Sequence, residues 1–119
     1  MKKVLLAEDD MTMVSLLTTL LKMEGFQVMA LSPNADIPAA VLQEKPDVLL
    51  LDVHLSDQNG LDILDVIRRT KGTENARVVM SSGSDVKEEC LRRGADGFLM
   101  KPYMPDDLIM ALKQAINTA

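Results

Sequence analysis

The sequence predicts an α/β domain: a doubly wound, five-stranded parallel sheet with helices on both faces. Three observations predict it. Short apolar runs alternate five times with segments whose apolar residues recur at helical spacing. The central run, Val48-Leu49-Leu50-Leu51, lacks polar alternation, as a strand buried on both faces requires. The chain has 119 residues, enough for one core and one domain over residues 1–119.

Val4-Leu5-Leu6-Ala7 is the first strand. Val14, Leu17, Leu20 and Leu21 give the first helix its stripe, and Gly25 stands where it should stop. Residues 26–31 form the second strand. Ser32-Pro33-Asn34 is a turn, followed by a weaker helix through Ala40, Val41 and Leu42. After the third strand, Leu61, Leu64 and Ile67 mark the third helix. Residues 77–80 form the fourth strand, 86–93 a short fourth helix, and Gly97-Phe98-Leu99-Met100 the fifth strand. Pro105-Asp106-Asp107 opens the last helix, with Leu108, Ala111, Leu112 and Ala115 as its buried stripe. At this size the natural arrangement is the flavodoxin-like strand order 2-1-3-4-5 with five helices. Ligands then bind beyond the carboxyl ends of the strands, at the switch point between strands 1 and 3.

Composition narrows the function. Thirteen basic and eighteen acidic residues leave a formal charge of −5, which disfavours direct nucleic-acid binding and suits divalent cations or a basic partner. The one cysteine, Cys90, excludes an internal disulfide framework and fits a reducing cytosol; it reads as a half-buried helix residue. The apolar run after Met1 is cut short by Glu8-Asp9-Asp10, unlike a signal peptide, and no stretch reaches the ~20 apolar residues that span a bilayer. Nine methionines and many aliphatics must fill a core poor in aromatics.

The chemistry-bearing residues fall at the strand ends. Glu8 and Asp9 follow strand 1, Asp52 ends strand 3, Ser81 and Ser82 end strand 4, and Lys101 follows strand 5. Two unit charges ~4 Å apart repel by about 4 kcal/mol at an effective dielectric near 20, so three converging carboxylates call for a cation. Oxygen ligands favour Mg²⁺ over zinc or copper. Asp52 is then a candidate nucleophile for a phosphoryl group shared among metal, Lys101 and a serine hydroxyl. Asp10 is the better candidate to cap the first helix.

Leu6-Ala7-Glu8-Asp9-Asp10, Leu50-Leu51-Asp52-Val53-His54, Gly60, Ser81-Ser82-Gly83, Gly94-Ala95-Asp96-Gly97 and Lys101-Pro102 resemble, in order and over essentially the whole chain, the response-regulator receiver family of two-component signalling. The resemblance implies that Asp52 is the phosphoacceptor and that Asp9 binds Mg²⁺ directly. Glu8 helps through water, and the main-chain carbonyl of His54 is a further ligand. It implies that Lys101 pairs with the phosphoryl group, that its bond to Pro102 is cis, and that a hydroxyl ending strand 4 and the aromatic Phe98 move on activation. Counting from Asp52 favours Ser82 as that hydroxyl, with Ser81 the fallback. The implied donor is a sensor histidine kinase or phosphotransfer protein. The implied readout is a downstream effector protein or fused output domain, in the cytoplasm, with no membrane partner and at most slow self-catalysed phosphorylation and dephosphorylation rather than enzymatic turnover.

Two departures stand out. The family often carries Pro where this chain has Ser56, which predicts a less rigid loop. The segment from Ser82 to Gly94 is about three residues short, nearly one helical turn, which puts output through the fourth helix in doubt. That shortening favours a competing reading, a phosphorylation-independent binding module on the same fold. Flavin binding is disfavoured by three acids where a phosphate loop would need hydroxyls and glycines, and a turnover phosphatase by the lack of a second acid after Asp52 and of room for a cap domain. Arg68-Arg69 and Arg92-Arg93 read as solvated helix ends. Both a stand-alone regulator and the receiver part of a longer protein fit these residues.

Overall fold

The computed structural model describes residues 1–117. Its elements, in chain order, are β1 (Lys3–Ala7), α1 (Met11–Met23), β2 (Gln27–Ala30), α2 (Ile37–Glu44), β3 (Val48–Asp52), β4 (His54–Leu55), β5 (Gln58–Asn59), α3 (Gly60–Arg69), β6 (Val78–Ser82), α4 (Lys87–Arg92), β7 (Gly97–Met100) and α5 (Pro105–Asn117). Five strands pair in parallel in the order β2-β1-β3-β6-β7. Counted within that sheet, this is the expected 2-1-3-4-5. Parallel neighbours need crossover connections, and the helices supply them.

Strand alternation divides the core in two. Leu5, Leu49, Leu51, Val78 and Met80 face Ile37 and Val41 of α2, Ile63, Leu64 and Ile67 of α3, and Cys90 of α4. Val4, Leu6, Val48, Leu50 and Val79 face Leu17 and Leu21 of α1 and Leu108, Leu112 and Ala115 of α5. Every residue of β3 and β6 is buried, as central strands covered on both sides must be.

Local signals fix the helix ends near the site. Asp10 caps α1, its carboxylate accepting from the N–H groups of Thr12 (3.0 Å) and Met13 (3.2 Å). At the other end Gly25 turns left-handed (φ 90°), its N–H reaching the Lys22 carbonyl while the Phe26 N–H reaches that of Leu21. Phe26 and Leu21 are both buried, so the stop signal also seats an aromatic in the core.

Three expectations are corrected. The segment after β3 is not a plain loop but an antiparallel β4–β5 hairpin with Ser56 and Asp57 at its turn. Cys90 is fully rather than half buried, which pushes its thiol pKa up. Arg68 is not a solvated helix end: it donates to the carbonyls of Gly94 (2.9 Å) and Ala76 (2.6 Å) and pairs with Asp96 at 3.1 Å. Asp96 in turn accepts from the Val78 N–H (2.8 Å), so this cluster ties α3 to the start of β6 and the loop before β7.

Candidate functional site

The register delivers the site residues together. Ala7 of β1 pairs with Leu51 of β3, so Glu8 and Asp52 leave the sheet side by side at the switch point. Asp52 pairs with Ser81, and Ser82 with Met100, which places Lys101 next beyond the sheet edge. Lys101 Nζ then lies 2.9 Å from Glu8 Oε2 and 3.1 Å from Asp52 Oδ2. One oxygen each from Glu8, Asp9 and Asp52 fall within 4.8 Å of one another. Glu8 and Asp52 are only 6% and 5% exposed, so their charges meet little water.

Each carboxylate has its own donors. Glu8 also accepts from the Asp10 N–H (3.2 Å), and Asp52 from the His54 N–H at a long 3.5 Å. Asp9 accepts from the N–H of Ser56 at 2.7 Å and its hydroxyl at 3.4 Å. Two of the three carboxylates thus share one ammonium, and Asp9 is held by Ser56 instead. Burial raises the Glu8 pKa, opposed by the Lys101 hydrogen bond and reinforced by the charge of Asp52. Burial pulls the Lys101 pKa down, but hydrogen bonds to Glu8 and Asp52 outweigh it and leave it raised. Tyr103, packed nearby, has its phenol pushed up to about 12 by burial.

The residues fit a hard divalent cation. Convergent carboxylate oxygens without a thiolate or imidazole suit Mg²⁺, and the single positive charge of Lys101 leaves the cluster negative. Every acidic and basic residue that the sequence placed here is here: Glu8, Asp9, Asp52 and Lys101. The Lys101-Pro102 bond is cis. Ser81 sits opposite Asp52 in the register. Ser82 stands one residue farther out; its hydroxyl accepts from the Ser84 N–H (3.1 Å) and its carbonyl from the Lys101 N–H (2.8 Å). Phe98 pairs with Met80 in the register and packs on the α3/α4 side, the face that strand alternation also assigns to Ser82. His54 is exposed at the mouth of the site.

A family model describing the response regulator receiver domain matches residues 4–113. The chain belongs to this family. The transcriptional regulatory protein CpxR of Klebsiella pneumoniae is 36% identical over 118 residues, covering 98% of this chain and 50% of CpxR. The chain therefore spans about half the length of the curated relatives it matches. A receiver domain protein from Clostridium thermocellum has the same fold, with a TM-score of 0.86 and 26% identity over 98% of this chain and 95% of that one. So does the receiver domain of a sensor histidine kinase from Pseudomonas aeruginosa PAO1 (TM-score 0.85, 20% identity, 98% of both chains), solved with a magnesium ion in its active site cleft.

Two features of this receiver domain escape sequence reasoning. Ser56 holds φ at +47°, and the nearby Asn59-Gly60 signal lies beyond the turn and so does not announce it. The loop expected to be less rigid there carries two anchoring hydrogen bonds: Gln58 Nε2 donates to the Pro33 carbonyl (2.7 Å), and the Asn59 side chain accepts from the Leu61 N–H (2.8 Å) to cap α3.

Proposed function

We propose that residues 1–119 form a receiver domain in which Asp52 accepts a phosphoryl group from a phosphohistidine on a sensor histidine kinase or phosphotransfer protein. The observation that carries this reading is the Lys101 ammonium bridging Glu8 and Asp52, with Asp9 completing a tight carboxylate triad. A carboxylate oxygen of Asp52 attacks phosphorus, the P–N bond breaks as the O–P bond forms, and the imidazole leaves. Bound Mg²⁺ would supply charge that neutralises the phosphoryl oxygens. Asp9, Asp52 and the His54 main-chain carbonyl would hold it, Glu8 acting through water. Lys101 pairs with a phosphoryl oxygen as the Asp52 charge is spent.

Phosphorylation replaces one carboxylate charge with about −1.5 to −2. That change draws the Ser82 hydroxyl, with Ser81 as fallback, away from Ser84 toward the new oxygens. Phe98, on the same face, follows and alters the surface around α4 and β7. Any turnover is slow self-catalysed phosphorylation and dephosphorylation, so the domain is a switch and not an enzyme. The readout is a downstream effector or a fused output domain. Relatives named as DNA-binding or transcriptional regulators favour the latter, with DNA contacted by the output part and not by this acidic receiver. No described helix is long and apolar enough to cross a membrane, and we place the domain in the cytoplasm.

Acetyl phosphate with Mg²⁺ tests the reading. One phosphoryl adduct is expected by mass spectrometry, absent in Asp52→Asn and without the metal. A folded wild type that never acquires an adduct, or an adduct that survives Asp52→Asn, overturns it. The six-residue α4, with no side-chain cap, favours one alternative, a phosphorylation-independent binding module. Failure to bind both Mg²⁺ and beryllofluoride would select it.

A further inference from the structure

Asp9 takes its hydrogen bonds from a different source than its two acidic neighbours. Glu8 and Asp52 are held by Lys101 and by N–H groups two residues along their own chain segments. Asp9 Oδ2 is held from 47 positions away, by the main-chain N–H of Ser56 at 2.7 Å, with the Ser56 hydroxyl farther off at 3.4 Å. A charge-assisted bond of that length fixes a carboxylate's orientation.

The donor is itself fixed. Ser56 has φ +47°, in the left-handed region that side-chain-bearing residues rarely adopt. The hairpin on either side holds it there. Leu55 is fully buried, Gln58 is bonded to the loop before α2, and Asn59 caps α3. Proline at this position would remove the N–H and hold φ near −65°, so it supplies neither the donor nor the turn.

We propose that Ser56 is a positioning residue for the cation site: its main-chain N–H aims the Asp9 carboxylate, occupying one oxygen and leaving the other for the metal. The assignment rests on the cation site proposed above. It makes the β4–β5 turn, alongside the side chains of the acidic triad, an element that sets how well this domain binds its ion. Groups that hold a metal ligand in place commonly change metal affinity about 10–100-fold when lost. Because the contact is made by the main chain, the side chain should matter little.

Titration calorimetry of the full chain with Mg²⁺ gives the first test. Ser56→Pro should bind about 10–100-fold more weakly, while Ser56→Ala and Ser56→Gly, which keep the N–H, should stay within about threefold of wild type. The second readout is the residue-56 amide proton by NMR. It should lie downfield in wild type and in Ser56→Gly, and move upfield in Asp9→Asn; it needs no proline variant and so survives any misfolding of Ser56→Pro. Wild-type protein that shows no Mg²⁺ binding overturns the cation site and this role together. Wild-type binding retained in folded Ser56→Pro, or a residue-56 amide unmoved by Asp9→Asn, overturns the role of Ser56 and leaves the cation site standing.

Discussion

A Cβ built on Gly60 would lie 2.3 Å from the main-chain oxygen of Asp52 and 2.9 Å from the Cα of Val53. No side chain can yield there, because both atoms belong to the backbone carrying the proposed phosphoacceptor. Gly60→Ala must therefore push α3 from β3, at a cost of about 1–3 kcal/mol. Urea unfolding should show that loss, and phosphorylation by acetyl phosphate should slow, since Asp52 moves with its carbonyl; an alanine variant of wild-type stability would refute the steric reading. The sequence marked Gly60 only through the family resemblance, since close approach of two backbones leaves no periodic trace. The charged residues were legible because their chemistry has few uses at a strand end. Asp10 was legible as a cap because Thr12 and Met13 have no other acceptor in the first turn. Ser56 was not, because its contribution is an N–H that any residue but proline carries.

Among the elements, α4 is held by side chains more than by its own length. It has six residues and no side-chain cap. Arg93 at its end donates to Asp65 of α3 (2.9 Å) and to Glu89 (2.8 Å), while Cys90 inserts into the core. Arg93 and Asp65 are each about one-third exposed, so their net contribution is small, up to about 1 kcal/mol. Arg93→Ala should thus leave global stability within about 1 kcal/mol of wild type while accelerating amide exchange in α4 and the turn before β7. Uniform acceleration across all five helices would show that α4 has no separate opening. The sequence revealed the shortness of this helix through its comparison with the receiver family, whose Ser82–Gly94 segment is about three residues longer. It hid the compensation, because Arg92-Arg93 looks like an ordinary basic helix end until the fold brings Asp65, 28 residues away, alongside. The β4–β5 hairpin was missed for a related reason: two-residue strands have no periodicity to read.

Across the whole molecule, the parallel topology turns four ordinary strand ends into one acidic crevice, and the domain's response to pH follows. The order of strands was legible because uninterrupted apolar runs at this length admit few parallel arrangements. What the sequence withheld was how deeply Glu8 and Asp52 sink when helices close over both faces. Burial raises the Glu8 pKa above its ordinary 4.5. A group whose folded pKa is raised contributes stability that is present below its unfolded pKa and lost as pH rises through the folded value. Metal-free protein should therefore lose stability from Glu8 as pH climbs from about 4.5 through its raised folded value. The raised Lys101 pKa acts only above 10.5 and leaves this window untouched. A divalent ion at the proposed site would reverse the trend, because it would need Glu8 ionised and would compete with the proton. Mg²⁺ bound there at a hundredfold excess over its Kd would stabilise the fold by about 2.7 kcal/mol. At a fixed Mg²⁺ concentration, the increment in Tm should be largest above the raised Glu8 pKa and shrink as pH falls through it. Glu8→Gln removes that proton, so its increment should vary less over the same range. Parallel pH profiles for the two proteins would mean that some other group, and not buried Glu8, governs ion uptake.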